Sequence, residues 1–178
     1  MNEKYVPYRG YDAPYIFVSY AHKDGNKASE VIGKLQMEQY RVWYDEGIDP
    51  GTEWDENIAE HIENCEYFIA LLSREYLVSS NCKDELNFAR ELEKPRLLIY
   101  LEDIQLPGGM RMRLSRLQAI HKYKYQSMEL FFEKLAETQG LEKCHEKQKQ
   151  EKTIIIESTE LSIMEGIRTH GSTGQYGK

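Results

Sequence analysis

The chain has 178 residues, 40% of them hydrophobic, which suits one compact domain of ordinary size with some chain left over. Lys and Arg number 23 against 30 Asp and Glu, for a net charge of -7. No basic block interleaves with aromatics, so the expectation is a protein that binds neither DNA nor RNA. The opening MNEKYVPYRGYDAP lacks an apolar signal core, and no run nears the roughly 18 apolar residues of a membrane span, so a cytoplasmic protein with no membrane attachment is expected.

Short β-rich runs alternate with helical patterns from Tyr15 onward. YIFVSYA reads as a buried first strand closed by the polar loop HKDGN, and Ala28, Val31, Ile32 and Leu35 then fall on one helical face. RVWYD is the second strand. After the glycine- and proline-bearing loop EGIDPGTE, the residues Trp54, Ile58, Ile62 and Cys65 recur at helical spacing. YFIALLS is the third strand, NCKDELNFAREL a helix with Asn81 as its expected N-cap, and RLLIYLE the fourth strand. AIHKYKY is a weaker fifth. SMELFFEKLAE closes the pattern, with Ser127 as cap and Met128, Phe131, Phe132 and Leu135 as the apolar stripe.

Strands separated by helices imply right-handed crossovers, hence an α/β fold whose parallel sheet is covered on both faces. The expected domain spans 12–139. Residues 140–178 read as a charged linker and a polar tail, in which TIIIE suits an edge strand or a linker equally. Cys65, Cys82 and Cys144 are scattered and have no C-x-x-C pairing or His partner at metal spacing, so reduced thiols and no metal site are expected.

Ligands of open parallel sheets bind at the carboxyl ends of the strands. The loop after the first strand holds a single Gly25, so neither G-x-G-x-x-G nor G-x-x-x-x-G-K-[ST] exists there, and Ser73 stands where a response regulator needs an aspartate. Glu85 is the informative residue. Cys82, Leu86, Ala89 and Leu92 make its helix's apolar stripe, and Glu85 lies beside that stripe, aimed at the sheet edge. Two readings stand side by side: a first-turn glutamate favoured by the helix dipole or a capping box, and a functional carboxylate. Cys82 reads as a small buried filler or a thiol activated at a helix start, and His22 and Asp24 as a solvated turn by default or a ligand-binding loop.

YIFVSYAHKD, VWYDEGIDPGTEWDENIAEHIENC and FIALLSREYLVSSNCKDEL, in this order, resemble the Toll/interleukin receptor (TIR) domain family over about Pro14 to Glu137. The resemblance implies a flavodoxin-like five-stranded sheet of order 2-1-3-4-5. Bacterial members above all cleave NAD at the nicotinamide–ribose bond with a glutamate that matches Glu85. The substrate-binding positions carried over are Tyr20, Asp45, Trp54, Ser79 and Asn81. Asn81 replaces the family's frequent tryptophan, which removes an aromatic wall and bears on whether water or the substrate's own adenine captures the intermediate. The implied activity is an NAD glycohydrolase or ADP-ribosyl cyclase in immune signalling, with NAD as substrate and no cofactor, and with self-association through TIR–TIR contacts. The alternative is a non-catalytic adaptor acting through those contacts, chiefly the EGIDPGTE loop.

Overall fold

The computed structural model describes residues 6–46 and 52–147 and Met164, with backbone only at 52–55. The expected TIIIE segment and polar tail lie outside the described residues, as do residues 47–51 of the loop after the second strand. The chain divides into two units, Met1–His145 and Glu146–Lys178.

In the first unit five strands, β1 (Ile16–Ser19), β2 (Val42–Trp43), β3 (Tyr67–Leu72), β4 (Arg96–Tyr100) and β5 (Gln118–His121), form one parallel sheet of order β2-β1-β3-β4-β5. Among the described residues six α-helices accompany them: α1 (Gly25–Met37), α2 (Thr52–Asn64), α3 (Arg74–Val78), α4 (Ser80–Glu91), α5 (Gly108–Leu114) and α6 (Met128–Ala136). This is the flavodoxin-like architecture, with the fully buried β3 at its centre.

Period-two alternation sorts the sheet's side chains into two cores. Ile16, Val18, Ile69, Leu71, Leu97 and Ile99 face α1 and α6, where Val31, Leu35, Phe131 and Leu135 meet them. Phe17, Phe68, Ala70, Leu72 and Leu98 face the other way, onto Ile58 and Ile62 of α2 and onto Cys82, Leu86 and Ala89 of α4. Leu92 is not part of that stripe. It is the exposed C-cap of α4, one residue past the last helical position, Glu91.

Two short helices carry no apolar periodicity to read: α3, and α5, which buries only Leu114. Packing also runs past Gln139. Gly140, at φ 90°, makes a left-handed turn that L side chains disfavour, and Leu141 and Cys144 then bury in the α1/α6 core. The buried Arg41 holds this end, its guanidinium donating to the carbonyls of Pro14, Lys143 and His145 while its N–H donates to the Cys144 carbonyl.

Leu71→Ala, at the centre of the sheet, is expected to lower unfolding free energy by about 3 kcal/mol, while Leu130→Ala, half-exposed on α6, changes it by less than about 1 kcal/mol. Urea denaturation of the two variants checks the contrast.

Candidate functional site

Two serine caps build the site. Ser73 ends β3 and its hydroxyl accepts from the Tyr76 N–H at 3.0 Å, starting α3; Ser79 accepts from the Cys82 N–H at 3.3 Å and starts α4 at once. The N-cap of α4 is therefore Ser79 and not Asn81, whose side chain stands exposed one residue inside the helix. With the helix beginning at Ser80, Glu85 lies in the second turn. The first-turn dipole and capping-box readings lapse on that count.

Glu85 is half-buried, and the Ser19 hydroxyl at the end of β1 donates to its Oε2 at 2.5 Å. Burial pushes its carboxyl up to about 7; the negative charges of Asp45 and Asp84 add to that, and the Ser19 hydrogen bond opposes it. Two clefts meet at this residue. One, of about 280 Å³, is lined by Tyr20, His22, Lys23, Ser79, Asn81 and Glu85. The other, of about 310 Å³ between α2 and α4, presents Ile58, Ile62 and Phe88 with Asn81, Asp84 and Glu85.

The rim of the first cleft is set by two polar pairs. His22 Nε2 lies 2.8 Å from Asp45 Oδ2, and Lys23 Nζ lies 2.9 Å from Glu75 Oε2. The Tyr20 hydroxyl donates to the Asp45 carbonyl at 2.7 Å, which ties the loop after β1 to the end of β2. Asp24, read from sequence as part of a solvated turn, is instead buried and accepts from the Ser73 hydroxyl.

Of the residues singled out from sequence, Tyr20, Ser79, Asn81 and Glu85 line one cleft, and Asp45 joins it through His22 and Tyr20. The side chain of Trp54 lies outside the described residues. Ser19 and Tyr76 were not singled out. Ser19 had a signal, since alternation puts this polar residue on the same face as Phe17, where α4 packs. Burial pushes the Cys82 thiol up to about 12, as it does Cys65 and Cys144, so all three are packed fillers and not activated nucleophiles. Among the described residues no group of three or more His, Cys, Asp or Glu is placed to hold a metal, and no helix is long and apolar enough to cross a membrane.

The TIR domain family model matches residues 16–136. The chain belongs to the TIR domain family. Among solved structures it is similar to the TIR domain of the Toll-related receptor TRR-2 from Hydra magnipapillata, at 19% identity and TM-score 0.57, over 68% of this chain and 94% of that one. It is also similar to a 2-deoxyribosyltransferase from Bacillus psychrosaccharolyticus, at 15% identity and TM-score 0.50, over 66% of this chain and 95% of that one. A third likeness, to the CMP N-glycosidase BcmB of Clostridium botulinum, has 18% identity and TM-score 0.49 over 68% and 98% of the two chains. At these identities the first two likenesses are ones of fold. No curated protein matches the chain.

Desolvation of Glu85 has a cost that pH exposes. Below its unfolded value of 4.5 the carboxyl is protonated in both states and costs nothing; between 4.5 and about 7 folding must take up a proton, and stability falls as pH rises; above about 7 the penalty is constant. At about 1.4 kcal/mol per pH unit it reaches about 3 kcal/mol at most. Glu85→Gln, neutral and of the same shape, is expected to stabilise this TIR domain by up to that amount at pH 8 and by almost nothing at pH 4, as urea denaturation at the two pH values will report.

Proposed function

We propose that this TIR domain cleaves NAD at the nicotinamide–ribose bond, with Glu85 as the catalytic carboxylate. The observation that carries the reading is a carboxyl group held in the second turn of α4, drawn out of water and yet open to two clefts, where a scaffold has no physical need for one. Its raised titration is the cost of keeping a charge at that point, a cost that function repays and packing does not.

The chemistry asks little else of the protein. The nicotinamide ring nitrogen of NAD is already positively charged, so the ring leaves without a general acid. What remains is to stabilise a ribosyl cation resembling the oxocarbenium ion of glycoside hydrolysis. A carboxylate beside the ribose accepts from its hydroxyls and offsets the developing charge, an interaction strengthened in a site partly withdrawn from water. In this reading Tyr20 and Asp45 fix the wall of the cleft, and Ser79 sets the start of α4 that aims Glu85. Asn81 lines both clefts beside Glu85, so it bears on whether water or the substrate's own adenine captures the intermediate. TIR domains associate with one another as a class; here that association organises a cytoplasmic enzyme of immune signalling.

Purified, concentrated protein incubated with NAD is expected to release nicotinamide, and Glu85→Gln to lose at least about 100-fold of that rate while keeping its far-UV spectrum. A variant with undiminished turnover ends the proposal, and a wild type silent at every concentration leaves this TIR domain an adaptor. The active form is the carboxylate, so kcat/KM should fall as pH drops through about 7. The pyridinium of bound substrate favours the ionised acid, which places the corresponding limb of kcat at lower pH.

A further inference from the structure

Three polar contacts run in series from Glu85 into the core. Ser19 Oγ lies 2.5 Å from Glu85 Oε2 and 3.0 Å from Tyr76 Oη, and Tyr76 Oη lies 3.0 Å from the carbonyl oxygen of Cys82. Ser19, Tyr76 and Cys82 are all buried, with at most 3% of any of them exposed, so these groups must satisfy one another.

Counting hydrogens makes the series informative. Three contacts need three hydrogens, and the two hydroxyls supply one each. With Glu85 ionised, Tyr76 donates to Ser19 and Ser19 donates to the carboxylate, while the Cys82 carbonyl, inside α4, has the backbone N–H one turn on as its partner. With Glu85 protonated, the acid supplies the third hydrogen: Glu85 donates to Ser19, Ser19 to Tyr76, and Tyr76 to the Cys82 carbonyl. The same heavy-atom positions serve both states, with the two hydroxyl hydrogens redirected and the Cys82 carbonyl gaining one.

We propose that Ser19 and Tyr76 form a reversible hydrogen-bond chain serving Glu85 in both of its protonation states, which makes the two hydroxyls positioning residues for that carboxyl group. Hydroxyl rotation then lets the acid gain or lose a proton without displacing α4. The inference deepens the proposed NAD-cleaving role, and rests on it where turnover is the readout.

Other titratable groups around Glu85 do not supply the switch. Asp45 beyond β2 and Asp84 on α4 act on it through charge. Burial pushes Tyr20 and Cys82 up to about 12 and Tyr76 well above its ordinary value, so all three stay neutral while Glu85 titrates. Across the cleft, His22 is paired with Asp45, and Lys23 with Glu75 on α3.

The test is a ¹³C NMR titration of the side-chain carboxyls in the full chain, with Glu85→Gln identifying the resonance. Ser19→Ala removes the direct charge-assisted donor and should raise the Glu85 midpoint by about one pH unit; Tyr76→Phe removes the hydroxyl behind it and should shift the midpoint by about half a unit. Ser19→Thr, which keeps the hydroxyl, should restore the wild-type midpoint. The acid limb of kcat/KM should move with the midpoint in each variant.

A midpoint unmoved by Tyr76→Phe overturns the chain, even if Ser19→Ala moves it. Should Tyr76→Phe not fold, equal midpoints in Ser19→Ala and Ser19→Thr overturn it. The titration needs no substrate, so the two ideas fail separately. Shifted midpoints with no nicotinamide release in any variant, wild type included, would leave the chain standing and remove the NAD reading.

Discussion

The hydrogen bond from Ser19 to Glu85 joins the last residue of a central strand to the second turn of a helix that packs against the sheet. Its existence constrains much around it. β1 must end where α4 passes, α4 must start neither earlier nor later than Ser80, and α3 must be short enough for the chain to reach that start. The two serine caps meet the last two conditions, since Ser73 and Ser79 each satisfy an orphaned N–H and fix where a helix begins. A one-residue slip in α4 would rotate Glu85 by about 100° and take it away from Ser19.

The two-sided core explains why a carboxyl can be kept in so costly a place. β3 is buried along its whole length and pairs with β1 on one side and β4 on the other, so the platform under the site does not depend on the site's own contacts. Cys82, Leu86 and Ala89 anchor α4 on that platform by apolar burial. The desolvation of Glu85 is thus a local cost carried by a helix already held in place, the usual relation between a strained functional group and its scaffold.

Sequence made the fold legible because its signals were redundant. Continuous apolar runs marked the strands, and four helices (α1, α2, α4 and α6) carried apolar stripes most of whose described members are buried, so neighbouring errors could not alter the topology. Elements lacking such a stripe escaped notice: α3 spans five residues, and α5 begins with two glycines and exposes Met112. The same limit misplaced the cap of α4, since Ser79, Ser80 and Asn81 are all good capping residues and only the geometry of the preceding helix selects among them. For the site, the position of Glu85 beside an apolar stripe was readable, whereas its partners were not. Ser19 reaches it from 66 residues upstream and Tyr76 reaches Ser19 from another helix, by contacts that depend on strand order and burial depth rather than on local spacing.

Charge is graded through the site in a way that suits a molecule with two kinds of charge. Inside, Glu85 stands with Asp45 and Asp84 acting on it, an environment hostile to an anion and favourable to a cationic ring. At the rim, His22 and Lys23 are held by acids but still line the first cleft, where they can exchange part of those contacts for a phosphate. The second cleft adds the apolar Ile58, Ile62 and Phe88 on the far side of Glu85 and Asn81. Under the proposed reading, the pyridinium of NAD takes the acidic interior beside Glu85 and its pyrophosphate takes the rim. A purely anionic nucleotide would have to place charge against the buried acid, and that difference gives the proposed substrate its electrostatic selectivity.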